Sequence, residues 1–324
     1  AATNYSDPIT SNKHCQNRGP DMTTAEKIRG VYYLHNLLHI TGELTPQPLI
    51  KDDVVCVFNG EIYNYTSFGN YNSDSECIID LYNTKGEHFV KDLDGEFALC
   101  LIDYKKQKLI ISVDTFSCKP LWYEMRDDKF CIASYNSQLD GLGFKNGKKL
   151  KSNTTLVFNL STLTQLTSYE NRTFDIKQHK TTFDDWLTAF SNSIRKRTAN
   201  TKQGMFVGLS SGYDSGAITC ELEKQNVSFK TYSILNTENP KIMERRLKLV
   251  TNAESFNLTT DEYNHWQQEL DNNCEDFIYG TGKKKYNIKE DQASKGLAAI
   301  CHRANKEKRK IYFLTKSLKK KMQL

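Results

Sequence analysis

The chain has 324 residues, which exceeds one typical domain and predicts two. Charged residues make up 26% and apolar residues 38%, a globular balance that excludes a disordered chain. The net charge of +5 is modest, and no apolar run reaches the roughly 18 residues that a membrane span needs. No signal peptide is visible, and we expect a cytoplasmic protein with neither a membrane nor a nucleic-acid partner.

The nine cysteines follow neither a paired nor a CxxC spacing, so reduced and mostly buried thiols are expected rather than disulfides. Basic residues cluster near the end of the sequence. A solvated tail is favoured there over a nucleic-acid surface, because no aromatic platform accompanies the charges. The cluster consists of Lys306, Lys308, Arg309, Lys310, Lys316, Lys319, Lys320 and Lys321.

Residues 31–160 contain short β-branched and aromatic segments separated by turns, which predicts stacked antiparallel sheets. Asn59-Gly60 is a dipeptide typical of hairpin turns. Ser73–Tyr82 is predicted to be a helix with Ser73 as its N-cap and Glu76 completing a capping box. Strands are expected at Val31–Ile40, Asp53–Asn59, Phe97–Asp103, Leu109–Val113, Pro120–Tyr123, Phe130–Ser134 and Leu156–Leu160.

The composition changes near residue 165. Residues 166–182 are polar and are predicted to be a linker. An amphipathic helix is expected at Phe183–Ala199, with Phe183, Trp186, Leu187, Phe190 and Ile194 on one face. Two strands separated by a helix then form a βαβ unit, which predicts a parallel sheet. The remaining elements are expected at Met205–Leu209, Phe229–Leu235, Glu244–Leu249, Ala293–Ala304 and Ile311–Leu314.

A small-residue turn, Ser210–Ser215, joins the first strand of that unit to its helix. A strand, a tight turn and a helix N-terminus direct backbone N–H groups toward an anion. The hydroxyl groups of Ser210, Ser211 and Ser215 add further donors. The turn is not a Walker loop, since GxxxxGK[ST] is absent. Phosphate binding and an ordinary serine-rich turn are both open on the local pattern.

Several motifs in the first 160 residues resemble the glutaminase domain of class II glutamine amidotransferases. Their order and spacing are similar to those of the asparagine synthetase family, and SSGYDS at 210–215 resembles that family's pyrophosphatase signature S-G-G-x-D-S. The matching segments are Arg18-Gly19-Pro20-Asp21, His35 with Leu37, Gln47-Pro48, Asn59-Gly60-Glu61-Ile62-Tyr63-Asn64, Ser73-Asp74-Ser75-Glu76, Leu93-Asp94-Gly95-Glu96-Phe97-Ala98 and Lys119-Pro120-Leu121.

The resemblance implies two domains with different folds. Residues 1–165 are expected to form an α/β/β/α sandwich of the N-terminal-nucleophile hydrolase type. Residues 183–324 are expected to form a partial parallel α/β domain, similar to adenine-nucleotide α-hydrolases, that carries the pyrophosphatase loop.

The implied chemistry has two halves. Glutamine is hydrolysed in the first domain, and its ammonia attacks an acyl-adenylate that the second domain makes from aspartate and ATP. Asn59 and Gly60 are then expected to donate to the oxyanion, and Glu61 and Asp74 to bind the ammonium group of glutamine. The alternatives are a hairpin turn for Asn59-Gly60 and the first turn of a helix for Asp74.

In the second domain, the resemblance assigns ATP to Leu209 and the Ser210–Ser215 loop. Backbone groups of Ser211, Gly212 and Tyr213 are expected to cradle the pyrophosphate, and Ser210 and Ser215 to add hydroxyl donors. Asp214 beside phosphates implies an intervening Mg²⁺. Ile234 is expected either to face the adenine or to belong to the core.

The chain departs from the family at three places. Ala1-Ala2 stand where the family has an N-terminal cysteine nucleophile, so we expect either that the first strand with its cysteine is missing or that the glutaminase is inactive, with Cys15 as a weak substitute. Asn36 replaces an arginine that binds the glutamine carboxylate. After the last strand the chain reads Thr315-Lys316-Ser317-Leu318 instead of a second pyrophosphate loop.

Three functions therefore remain open. The first is an asparagine-synthetase-like amidotransferase that uses glutamine, aspartate, ATP and Mg²⁺. The second is a non-catalytic homologue, or one that depends on a homodimer or a complementing chain. The third is a related amide- or lactam-forming ligase with another acid substrate.

Overall fold

The computed structural model describes residues 1–13, 15–177, 179–279 and 285–313. Contacts between residues divide the chain into two compact units, Ala1–His179 and Lys180–Leu324. No helix in the described part of the chain is long and apolar enough to cross a membrane. No disulfide links the described cysteines.

Two six-stranded antiparallel sheets build the first unit. The first sheet has the order β10-β8-β9-β1-β3-β2, with strands β1 Ala2–Thr3, β2 Met22–Ile28, β3 Val31–Leu37, β8 Trp122–Arg126, β9 Lys129–Ala133 and β10 Lys148–Lys149. The second sheet has the order β12-β11-β7-β6-β5-β4, with strands β4 Leu49–Lys51, β5 Val54–Ile62, β6 Gly95–Asp103, β7 Lys108–Val113, β11 Thr154–Asn159 and β12 Gln165–Glu170.

The alternation of side chains along β6 shows how the layers stack. Ala98, Cys100 and Ile102 lie in a core cluster shared with residues of the first sheet, such as Tyr33 and Phe130. The intervening side chains, Phe97, Leu99 and Leu101, lie in a separate cluster on the other face. Successive residues of a strand point to opposite faces, so β6 is apolar throughout because both of its faces are covered.

Helices cover the outer faces of both sheets. Helix α1, Cys77–Lys85, contributes Ile78 and Tyr82 to the cluster outside the second sheet. The short helix α2, Asn136–Gly141, places Leu139 in a cluster on the first sheet, against which Trp122 packs. The α/β/β/α sandwich expected from the sequence is therefore confirmed for the first unit.

The structure corrects two local predictions. Asn59-Gly60 is not a hairpin turn: β5 continues through both residues to Ile62, in register with β6. The predicted capping box is also wrong, since Ser73 makes no capping hydrogen bond and the Glu76 carboxylate accepts from the Asn72 N–H instead (2.9 Å). Asp74 and its neighbours form a 3-10 turn that precedes α1.

Residues at the predicted linker are partly ordered in the first unit. Gln165–Glu170 forms the edge strand β12, so the segment without secondary structure begins after the strand rather than at 166. The burial of β12 alternates between exposed and half-buried positions, as expected for an edge strand with one solvated face.

A four-stranded parallel sheet with the order β15-β14-β13-β18 forms the centre of the second unit. Its strands are β13 Gly204–Gly208, β14 Phe229–Ile234, β15 Ala253–Phe256 and β18 Arg309–Phe313, with a separate hairpin of β16 Ile278–Tyr279 and β17 Tyr286–Asn287. Helices occur at α3 Asp184–Thr198, α4 Tyr213–Lys224, α5 Pro240–Leu249, α6 Thr260–Asn273 and α7 Gln292–Lys306.

The strand–helix–strand unit predicted around the serine-rich loop is present, as β13, α4 and β14. Most of the apolar face predicted for α3 is exposed, with Ile194 buried but Phe183, Trp186 and Leu187 between 54% and 79% exposed. Trp186 stacks on Phe190 with ring centroids 5.4 Å apart. The last predicted strand is found as β18, whereas Leu314 and half of the basic cluster (Lys316, Lys319, Lys320 and Lys321) lie outside the described residues.

Candidate functional site

A pair of carboxyl groups lies at one end of β5. Glu61 belongs to the strand, and Asp74 follows in the 3-10 turn. The Ile62 N–H donates to Asp74 Oδ2 (2.8 Å), which ties the turn to the strand. Thr41 Oγ1 donates to Glu61 Oε2 (2.5 Å) and so holds that side chain from the preceding loop. The structure thus brings together the two acids that the sequence singled out for an ammonium group.

Burial controls the protonation of this pair. Loss of solvation and, to a smaller extent, the nearby Asp74 raise the pKa of Glu61 to about 8. Burial also raises the pKa of Asp74 to about 6, against backbone hydrogen bonds from Ile62 and Ser75 that favour its charged form. The pair therefore retains a proton near neutral pH, and a cationic group would be a favourable partner for the fully ionised form.

Three further polar side chains border the pair. The Tyr63 hydroxyl donates to Glu96 Oε1 (2.6 Å), and Lys119 Nζ lies 3.8 Å from Glu96 Oε2. Lys119 acts against the pKa elevation of Glu61, whereas Glu96 adds to it. These residues stand in the quoted sequence motifs, but a role beside the carboxyl pair was not predicted for them.

Asn59 and Gly60 precede Glu61 on the same strand. Asn59 and Glu61 occupy the face of β5 that also carries Val55 and Val57, whose side chains line the layer between the sheets. Asn59 has no side-chain hydrogen bond to another described residue, which leaves its amide N–H groups available as donors. Gly60 has a φ of +152°, and a Cβ there would lie 2.0 Å from the Glu96 carbonyl oxygen.

Strand β1 holds the first residues of the chain between β3 and β9. The Ala1 ammonium donates to the Leu34 carbonyl oxygen (2.6 Å), and burial lowers its pKa. The Ala1 side chain is a methyl group and carries no nucleophilic atom. Cys15, the suggested substitute, is buried, and its Sγ donates to Gln138 Oε1 (3.0 Å).

Asn36 forms a reciprocal pair with Asn12. Each side-chain amide donates to the other, at 2.7 Å and 3.1 Å, and Thr23 Oγ1 also donates to Asn36 Oδ1 (2.9 Å). The polar atoms of Asn36 are thereby engaged within the fold. A neutral amide pair stands where the resemblance implied a guanidinium for the glutamine carboxylate.

The Ser210–Ser215 loop joins β13 to α4 in the second unit. Ser215 Oγ accepts from the Ser210 N–H (3.0 Å) and lies 2.8 Å from Ser210 Oγ. Gly212 is the N-cap of α4, and its N–H donates to Ser210 Oγ (3.2 Å). Ser210 and Ser215 hydroxyls therefore stabilise the turn itself.

The other predicted nucleotide residues differ in accessibility. Tyr213 is 86% exposed, Asp214 is half-buried in the first turn of α4, and Leu209 is buried. Ile234 packs against a core cluster that includes Phe206, and its methyl end approaches Gly296, so its contacts are those of a core residue. Among the described residues, no group of three or more His, Cys, Asp and Glu side chains is arranged to hold a metal ion.

Two charged residues that were not predicted bind this loop. Glu238 accepts from the Ser211 N–H (2.5 Å) and from its hydroxyl. Arg246 donates to the carbonyl oxygens of Ser210 and Gly212, the latter at 2.7 Å. Both residues follow β14 in the sequence. They reach the loop only because the chain folds back through β14 and α5, so no local sequence pattern predicts these contacts.

The comparisons with known proteins identify the class. The glutamine amidotransferase domain model matches residues 4–175, which is more than half of the chain, so the chain belongs to the glutamine amidotransferase family. That region contains the sandwich apart from β1, together with the carboxyl pair and the Asn59-Gly60 segment.

The curated relatives are asparagine synthetases. The chain is 36% identical over 125 residues to putative asparagine synthetase [glutamine-hydrolyzing] 1 of Methanocaldococcus jannaschii, covering 35% of this chain and 23% of the relative. It is 38% identical over 98 residues to asparagine synthetase [glutamine-hydrolyzing] 2 of Bacillus subtilis, covering 27% and 13%. The probable asparagine synthetase of Schizosaccharomyces pombe is 33% identical over 142 residues, covering 40% and 26%. The matched part thus spans about a quarter or less of each relative.

A solved structure titled as the allosteric regulatory enzyme of purine biosynthesis also matches. It covers 78% of this chain and 79% of its own, with 12% identity and a TM-score of 0.41.

Proposed function

We propose that this chain is an amidotransferase of the asparagine synthetase kind, with a glutamine site in its first unit and an ATP loop in its second. The observation that carries the proposal is the buried pair Glu61 and Asp74 beside Asn59 and Gly60. A buried acid pair costs free energy unless a proton or a cation shares it, and the ammonium group of an amino acid is such a cation.

The positions of these residues are compatible with the roles that the resemblance implies. Ionised Glu61 and Asp74 would accept hydrogen bonds from the glutamine ammonium group. The Asn59 amide and the Gly60 N–H would donate to the oxygen that becomes negative when the glutamine amide is attacked. The roles that we propose for these residues are therefore substrate binding and oxyanion stabilisation.

In the second unit, the Ser210–Ser215 loop would bind the pyrophosphate end of ATP. The first backbone N–H groups of α4 have no acceptor one turn earlier, and the N-terminus of a helix favours negative charge. Asp214 would contact Mg²⁺ bound to the phosphates, and the acid activated there would be aspartate, as the relatives named asparagine synthetases suggest.

Calorimetric titration with glutamine tests the first half. We expect binding by the full chain and a loss of about tenfold or more in Asp74→Asn, because a charge-assisted hydrogen bond is removed while the acceptor for Ile62 is kept. Asp80→Asn is the matched control, since Asp80 lies on α1 and pairs with the exposed Lys51 (2.5 Å). Equal losses in both variants, or no binding by the unmodified chain, would contradict the proposal.

An exchange assay with ATP, labelled pyrophosphate, Mg²⁺ and aspartate tests the second half. Exchange that requires aspartate supports adenylation of this acid. Exchange with a different acid would instead favour the related ligase.

The Asn36–Asn12 pair favours a second candidate, a homologue without glutaminase activity or one that depends on a partner chain. Such a protein would lack glutamine hydrolysis alone and gain synthesis on mixing with a second chain that supplies the missing groups. Full hydrolysis and synthesis by the isolated chain would exclude it.

A further inference from the structure

The Ser210–Ser215 loop already binds an anion from its own chain. Glu238 Oε2 accepts both the N–H of Ser211, at 2.5 Å, and the Ser211 hydroxyl. A carboxylate and a phosphate use the same kinds of donor, namely backbone N–H groups and hydroxyls near a helix N-terminus. The Glu238 carboxylate therefore stands on donors that a phosphate would need.

The neighbouring contacts hold this carboxylate at the loop. The Asn239 N–H donates to Ser211 Oγ (3.3 Å), so the residue after Glu238 is bound to the same serine. Asn239 also caps α5, since its side chain accepts from the N–H groups of Lys241 and Ile242. The position of Glu238 is thus set by the beginning of a helix.

Arg246, on the same helix, contacts the loop from the side of its carbonyl groups. Its guanidinium donates to Ser210 O and Gly212 O and lies where a Cβ on Gly216 would come within 2.6 Å. Two side chains from the segment after β14 therefore bind the same turn: Glu238 accepts from its N–H and hydroxyl donors, and Arg246 donates to its carbonyl acceptors.

We propose that Glu238 is an intramolecular competitor of phosphate at this loop, and that a polyphosphate must displace its carboxylate before it can bind. The inference rests on the proposed nucleotide function of the loop. If Glu238 stayed in place, its negative charge would face the phosphate in a half-buried setting, where repulsion is weakly screened. After displacement, the Arg246 guanidinium remains at the loop as a cation near the incoming anion.

The test is calorimetric titration of the full chain with inorganic pyrophosphate, with and without MgCl₂. Glu238→Gln replaces the charged carboxylate by a neutral amide on a side chain of the same length. We expect the affinity of this variant for pyrophosphate to be about tenfold higher than that of the unmodified chain. Glu244→Gln is the matched control. It makes the same change of charge on α5, where Glu244 pairs with Lys248 in solvent (2.7 Å), and we expect less than a twofold effect.

The outcomes separate the inference from the function on which it rests. Pyrophosphate binding that is equal in the unmodified chain and Glu238→Gln, or weaker in the variant, would overturn the inference and leave the nucleotide site in place. Weaker binding by the variant that is confined to the Mg²⁺ titration would also overturn the inference, because Glu238 would then assist the metal. Pyrophosphate binding by neither protein would overturn both the nucleotide site and the inference.

A second variant covers the case in which Glu238→Gln does not fold. Glu238→Asp keeps the charge but shortens the side chain by one methylene, so the carboxylate loses its reach to Ser211. Tighter pyrophosphate binding than in the unmodified chain supports displacement, and unchanged binding contradicts it.

Discussion

Glu61 and Asp74 share a buried environment in which the second negative charge is costly. Their raised pKa values, about 8 and about 6, place the ionisation of the pair across the neutral range. The two groups interact, so each ionisation belongs to the pair rather than to one residue. A ligand that brings an ammonium group must therefore also drive the release of a proton.

This coupling predicts how glutamine affinity depends on pH. Below pH 8, we expect the dissociation constant for glutamine to rise by about tenfold for each unit by which the pH falls. The reason is that the ionised fraction of Glu61, whose pKa is about 8, falls by the same factor. Calorimetry between pH 6 and pH 8.5 measures the slope. Glu61→Gln should show a much flatter profile, and a slope that persists in this variant would contradict the assignment.

The same shifts set the sign for the free energy of unfolding. Both acids hold their protons more tightly when folded than when unfolded, so the folded chain carries more protons between the two sets of pKa values. Their contribution to stability is fully present below about pH 4, the unfolded range, and is lost as the pH rises through about 6 and about 8.

Site residues could be predicted from the sequence only where they lie within a contiguous motif. Glu61 and Asp74 stand in contiguous motifs, so the resemblance identified them before any contact was known. Glu238 and Arg246 lie 27 and 36 residues away from the loop atoms that they bind, with no periodic pattern connecting them. Only the return of the chain through β14 and α5 brings them to Ser211 and Ser210.

Strand β5 is the element on which the first site is built. It pairs with β6 over its whole length, from Val54 to Ile62, and this pairing extends the strand through a dipeptide that is typical of turns. The turn propensity of Asn59-Gly60 is outweighed here by nine residues of pairing with β6, in a strand whose two faces are both largely covered. Gly60 contributes by allowing the Glu96 carbonyl to approach a backbone that has no Cβ.

Gly60→Ala should therefore destabilise the first unit by about 1–3 kcal/mol, through the clash with β6. Gly30→Ala is the control, because Gly30 also has a positive φ, +87°, but a Cβ there meets nothing within 4 Å. Urea unfolding of both variants measures the difference. A loss in Gly60→Ala no greater than that in Gly30→Ala would show that close packing against β6 is not the cause.

Other elements were missed for identifiable reasons. Edge strand β12 is mainly polar, apart from Leu166 and Tyr169, and its composition is therefore also typical of a linker. Helix α6 begins with a capping box between Thr259 and Glu262 but has no buried residue. Its sequence therefore lacks the apolar periodicity from which a helix is predicted. Elements with two covered faces, such as β6 and β7, were found close to their observed bounds.

At the scale of the whole molecule, the two compact units each hold one proposed ligand site. Glutamine would contact only the first, and pyrophosphate only the second. A ligand that binds the folded form alone raises the stability of the unit to which it binds. Separate compact units commonly unfold as separate cooperative steps.

Differential scanning calorimetry should show two transitions under this arrangement. We expect glutamine to raise the midpoint of one and pyrophosphate that of the other, each by a few degrees at about 100 times the dissociation constant. Asp74→Asn should abolish the first shift and leave the second. A single transition raised by either ligand would show instead that the units unfold together.

The chain has three tryptophans, and their distribution between the two units allows each unit to be followed by tryptophan fluorescence. Trp122, packed on the cluster beneath α2, belongs to the first unit, whereas Trp186 and Trp266 belong to the second. Trp186 is 60% exposed, and its ring lies flat against Phe190. Replacing Trp186 and Trp266 by phenylalanine would leave a protein whose indole emission comes from the first unit alone, so that the wavelength and intensity of the emission report on that unit.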